Sequence, residues 1–218
     1  MNQTYLETVD RPRSPSPLVP RVVAFLICLA GAIAAAPAAD WKLIPGESDD
    51  LPGRNVTVTQ DGKIVARLIY GEGQPIPYLA LYDDEGRLLT NAGVDKSGKT
   101  VGIEPHHRGI FIGWQQVKSD LGTSSLWGLG GGSRGKGGEP SRMEVVEIEK
   151  RSTARDSATI VARIEWRSGA KDASGSNLLL TETRTLKISR PEAGVAAQVD
   201  ASFRLKPARA LALDGNVQ

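Results

Sequence analysis

Apolar and polar residues alternate with a period of two along most of this chain. Val56 and Val58 are followed by Ile64, Ala66 and Leu68, with Gln60-Asp61-Gly62-Lys63 between the two runs. An Asp-Gly pair between alternating segments predicts a β-hairpin, because the tight turn needs positive φ, which Asp and Gly tolerate. Residues 78–82 and 87–90, joined by Asp83-Asp84-Glu85-Gly86, predict a second hairpin. The run IFIGWQQV at 110–117 reads as a buried strand, and the glycine-rich stretch 121–141 as a loop. Further strands are expected at 143–149, 159–166, 178–188, 194–205 and 208–213. Within 159–166, Ile160, Ala162, Ile164 and Trp166 share one face while Arg163 and Glu165 take the other. That is the code of a sheet with one wet face.

Past residue 40 no segment has a 3.6-residue period. Many short strands with turn signals at near-regular spacing argue for a sandwich or barrel. The resulting expectation is an all-β fold, an antiparallel β-sandwich over residues 55–218, preceded by a linker at 40–54. Residues 208–213 read as a last strand and Asp214-Gly215-Asn216 as the turn after it, with no strand returning. Such an edge is normally covered, so the expectation is a domain incomplete at its C-terminus.

The first 39 residues differ from the rest. Arg11, Arg13 and Arg21 precede the apolar run VVAFLICLAGAIAAA at 22–36, and Pro37-Ala38-Ala39 follows it. A positive leader, an apolar run and a small-residue end are the parts of a secretory signal. The run is shorter than the roughly 20 apolar residues of a membrane span. It predicts a signal helix cleaved after Ala38 or Ala39, and hence export to the periplasm or the exterior, with an uncleaved anchor as the alternative. The membrane then enters only through this segment. Cys28 is the single cysteine, so the mature chain has no disulfide or thiolate chemistry available. With 27 basic and 25 acidic residues the net charge is +2, which gives no reason to expect a nucleic-acid partner.

The two histidines of the chain are adjacent, in Glu104-Pro105-His106-His107-Arg108-Gly109. Neighbours on a regular strand face opposite sides, but Pro105 and Gly109 bracket the segment, and a loop there brings the side chains together. Two imidazoles, a guanidinium and Glu104 make a polar cluster suited to carboxylates, sugar hydroxyls or proton transfer near neutral pH. In that reading His106 and His107 are the catalytic candidates, while Arg108, Glu104 and Trp127 bind substrate, the last by stacking on a sugar ring. The competing reading makes the cluster structural in a non-catalytic envelope interaction protein. No metal site is expected: a two-histidine site needs further ligands, no third histidine exists, and no particular carboxylate is indicated to take its place. No cofactor is indicated. Glu182 and Arg184 sit two apart on one predicted strand, where they form a same-face ion pair of little worth if exposed. Lys136 is followed by Gly137, which does not fit a phosphate loop.

Glu104-Pro105-His106-His107-Arg108-Gly109-Ile110-Phe111 resembles a bacterial family of unknown function labelled "methane oxygenase PmoA". Pro77-Tyr78-Leu79, Leu126-Trp127-Gly128, Thr181-Glu182-Thr183-Arg184-Thr185-Leu186 and Gly215-Asn216-Val217-Gln218 agree with it in order. The resemblance implies a large, mutarotase-like β-sandwich and export, and through that fold a carbohydrate or other small-molecule ligand. The family usually has a further histidine after the Trp-Gly loop, where this chain has Ser-Arg-Gly-Lys-Gly-Gly. An oxygenase of the membrane type needs several spanning helices and copper ligands, and one short apolar run with two histidines does not supply them.

Overall fold

A computed structural model of the chain describes residues 38–47, 51–102, 107–127, 140–190 and 197–214. These belong to one compact unit. The expected signal helix at 22–36 and the expected turn residues 215–216 lie outside the described residues, while Ala38 and Ala39, after which cleavage is expected, lie within them.

Every regular element among the described residues is a strand, and every pairing is antiparallel. The first sheet has the order β1 (Trp41–Glu47), β2 (Arg54–Gln60), β3 (Lys63–Tyr70), β4 (Tyr78–Leu81). The second has the order β12 (Gln198–Pro207), β11 (Leu178–Ser189), β10 (Ser157–Arg167), β9 (Arg142–Thr153). A third sheet joins β13 (Ala212–Asp214), β7 (Trp114–Ser119) and β8 (Gly122–Leu126), and a small ribbon pairs β5 (Gly93–Val94) with β6 (Thr100–Val101).

The Asp61-Gly62 turn forms as the sequence predicts, with φ of 50° and 79° at its two residues, and sets the β2–β3 register. Val56, Val58, Leu68 and Leu79 of the first sheet share one core with Ile160, Ile164, Trp166, Leu186 and Ile188 of the second. Two sheets closing on one apolar layer make the expected sandwich. The first sheet is also covered on its other face. Ile69, Tyr78 and Ala80 pack there with Tyr82 and Ala92, from the loops that follow β4. Burial on both faces explains why β3 reads as a nearly continuous apolar run.

Several expectations change, and the second expected hairpin is reduced to a single bridge between Tyr82 and Leu88. The stretch 40–54, read as a linker, contains β1, and Trp41 is buried in the main core. Its period-2 signal is weak because Pro45 and Gly46 interrupt it. The strand expected at 110–117 starts regular pairing only at Trp114, for a reason that belongs to the site below. Part of the loop expected at 121–141 is β8, which turns back on β7 at Gly122. The last strand, expected at 208–213, is β13 at 212–214, which pairs with β7 on one side and stands at the edge of its sheet.

Glu182 and Arg184 do form an ion pair, but on the inward face of β11, 0% and 1% exposed at the side chain. Arg184 Nε donates to Glu182 Oε1 at 2.6 Å and Nη2 to Oε2 at 3.2 Å. Trp166 Nε1 on β10 donates to Oε2 at 2.7 Å. Arg184 Nη1 crosses to the first sheet and donates to the carbonyl of Pro77 at 2.8 Å. The guanidinium also lies over Phe203 of β12, 5.5 Å from its ring centre, and Trp166 meets Trp114 of β7 at 5.8 Å. This one buried polar node therefore touches all three larger sheets.

At the sandwich end Arg209 donates to the Leu178 carbonyl and to Asp120 and Asp172, so it ties three turns together. The Ser174 hydroxyl and then Arg209 hold the Asp172 carboxyl down at about 2.

Arg184→Met leaves the Glu182 carboxylate buried without its cation, and breaking such a pair costs about 3–5 kcal/mol. Urea unfolding is expected to show that loss, and Glu182→Leu added to Arg184→Met to recover part of it.

Candidate functional site

The segment His107–Trp114 is seated by backbone contact. Ile110 exchanges hydrogen bonds with Leu79 (2.8 and 2.9 Å), and Gly109 N donates to the Asn91 carbonyl at 2.8 Å. A Cβ at Gly109 would lie 2.1 Å from the Leu79 oxygen, and one at Gly113 would lie 2.1 Å from the Leu126 oxygen. Only glycine admits such approaches. The two glycines thus press the segment against β4 and against the end of β8, and regular pairing waits until Trp114.

This seating separates His107 from Arg108. His107 is exposed, whereas Arg108 is 4% exposed and enters the interior. Its Nη1 donates to Gln74 Oε1, and its guanidinium lies over the Tyr78 ring at 5.8 Å. Tyr78 in turn donates its hydroxyl to the Ala92 carbonyl at 2.8 Å. Arg108 Nε has no hydrogen-bond partner and packs on Gly93, where a Cβ would come within 2.8 Å of it. Burial pulls the Arg108 pKa below the ordinary guanidinium range, with Tyr78 acting against that shift. No carboxylate among the described residues pairs with it. His106 and Glu104 lie outside the described residues.

Trp127 follows β8 and is 40% exposed. Its ring meets Phe111 at 5.2 Å and 49°. An aromatic neighbour holds it in place while much of its surface faces solvent.

The residues that line open space are not those the sequence points to. Gln74 Nε2 donates to the Pro52 carbonyl at 2.9 Å, so Gln74 carries the contact from Arg108 to the turn between β3 and β4. Gln74 walls a cleft of about 550 Å³ that runs between this turn and the start of β9. A second cleft of about 530 Å³ lies on the other side of the same turn. Both are of ligand size. Arg54 and Glu72 line both of them. Arg54 lies over Tyr70 at 5.7 Å, and neither Arg54 nor Glu72 makes an ion pair among the described residues. Arg142 and Glu144 line the first cleft and Lys96 and Glu47 the second, so each is balanced in charge. Glycine punctuation was the available signal: Gly53, Gly71 and Gly73 all have positive φ. The long-range approach of residues 140–145 leaves no local trace in the sequence. Among the described residues no three metal-ligating side chains converge.

A family model described as a family of unknown function (DUF6807) matches residues 55–216. The match supports the expected family resemblance at that level and carries nothing of the oxygenase label. No curated protein and no solved structure matches the chain significantly.

Gly113→Ala forces a methyl group against the Leu126 carbonyl, an overpacking that costs about 1–3 kcal/mol. Chemical denaturation is expected to show it, together with a change in Trp127 emission. Gly46→Ala, which meets nothing within 4 Å, is expected to leave both unchanged.

Proposed function

We propose, for a chain that belongs to this family of unknown function, that it is an exported carbohydrate-binding protein whose ligand lies in the clefts at Arg54. The observation that carries this is the pairing of an exposed guanidinium, seated over the Tyr70 ring with free donors, with a free carboxylate on the walls of two ligand-sized clefts. An Arg fork donates to two neighbouring hydroxyls at once, and a carboxylate accepts from others. Balanced charge suits an uncharged polyhydroxyl ligand better than a polyanion. Met143 and Val145 add the apolar floor that one face of a sugar ring needs. Trp127, which lines neither cleft, is a separate exposed ring of the kind that stacks on a sugar.

In this reading Arg108 is a positioning residue. It holds Gln74 at the cleft wall from behind and meets no ligand itself. His107 is exposed near the surface end of the same segment, and the proposal is binding without catalysis.

Calorimetric titration of the full chain with cellohexaose, maltohexaose and a galacturonate oligomer tests the reading. One neutral hexaose is expected to bind saturably. Loss of hydrogen bonds to a charged group costs about 1.5–3 kcal/mol, so Arg54→Ala is expected to weaken binding about 10–100-fold. Arg54 is exposed and its removal leaves the core intact. Silence with all three sugars, or affinity unchanged in Arg54→Ala, contradicts the proposal.

A further inference from the structure

Among the described residues β12 is the outer strand of the second sheet, ten residues long and mostly exposed. Other long outer strands are defended in the usual ways. β1 carries Pro45 at its centre, and β9 has two register shifts against β10. β12 has no register shift against β11, and its only proline is the last residue. Such an edge is a template for another strand.

The sequence of β12 selects which strand. Its register with β11 puts Val199, Ala201, Phe203 and Leu205 on the core face and Asp200, Ser202, Arg204 and Lys206 on the solvent face. Turned antiparallel on itself about Ser202, the strand sets Asp200 opposite Arg204 twice and Gln198 opposite Lys206 twice. On the core face the same register sets Val199 against Leu205 and Ala201 against Phe203. Both faces therefore match in one register, as a two-fold interface requires. Asp200, Arg204 and Lys206 make no ion pair among the described residues. A defended edge carries like charges that repel a copy of itself, and this one carries charges that match.

We propose that β12 pairs with β12 of a second copy, so that the two four-stranded sheets become one sheet of eight across a two-fold axis at Ser202. The apolar core face, half-covered at Val199, Phe203 and Leu205 in the single chain, is continued by the same residues of the partner.

Sedimentation equilibrium of the full chain is the test, in a Cys28→Ser background. The chain is expected to be a dimer. Arg204→Asp, and separately Asp200→Arg, place like charges opposite each other and are expected to give monomers, while the double exchange restores the dimer. Directly opposed antiparallel residues have Cα atoms about 4.5–5.5 Å apart, within the range a disulfide spans. Ser202→Cys is thus expected to cross-link two copies on oxidation, while Ser189→Cys, on the neighbouring strand, does not. All substituted positions on β12 are exposed, so folding is retained. A monomer at all concentrations overturns the proposal, as does a dimer indifferent to both charge reversals or a Ser202→Cys chain that does not cross-link.

Discussion

The carboxylate of Glu182 and the guanidinium of Arg184 lie in the middle of the sandwich, and everything else is arranged so that they can stay there. A charge in that position is costly unless its partner and its remaining hydrogen bonds are in place. Here they come from three directions: the Trp166 indole on the next strand, the Pro77 carbonyl on the opposite sheet, and the Phe203 ring on the outer strand. The apolar core supplies the bulk of the driving force, as in any sandwich. The node makes that core specific, since sliding either sheet by one residue would strand a charge in the interior.

The same node leads to the site. Pro77 precedes Tyr78, whose ring carries Arg108 and whose hydroxyl holds Ala92. Arg108 fixes Gln74, and Gln74 walls the first cleft. Two buried guanidiniums thus bracket the start of β4, one from the sandwich core and one from the loop side. Arg184 has a carboxylate, while Arg108 has only an amide and a ring among the described residues. Around Arg108 burial weakens the hold on its proton, and the Tyr78 ring opposes that only in part.

Much of the fold was legible in the chain, because period-2 burial and turn chemistry are local. The Asp61-Gly62 turn and the face shared by Ile160, Ala162, Ile164 and Trp166 are visible in a few residues each. β1 was missed because Pro45 and Gly46 hide its pattern. The Glu182–Arg184 spacing pointed to an ion pair on one face, but whether that face is wet or dry depends on the opposite sheet. The candidate site was less legible. His107 and Arg108 drew notice as neighbours, yet the segment's seat, set by Gly109 and Gly113 against carbonyls far away in the chain, sends them apart. Arg54 and Glu72 look like ordinary surface charges until residues 140–145 close a cleft over them.

Exchange of the Trp166 indole N–H with deuterium, followed by NMR in the intact chain, tests the central node most directly. If Glu182 is the fixed acceptor at the centre of the sandwich, this proton exchanges only on global unfolding, as slowly as the best-protected amides of β10 and β11. Exchange at the rate of a solvent-exposed indole while those amides remain protected would contradict the account.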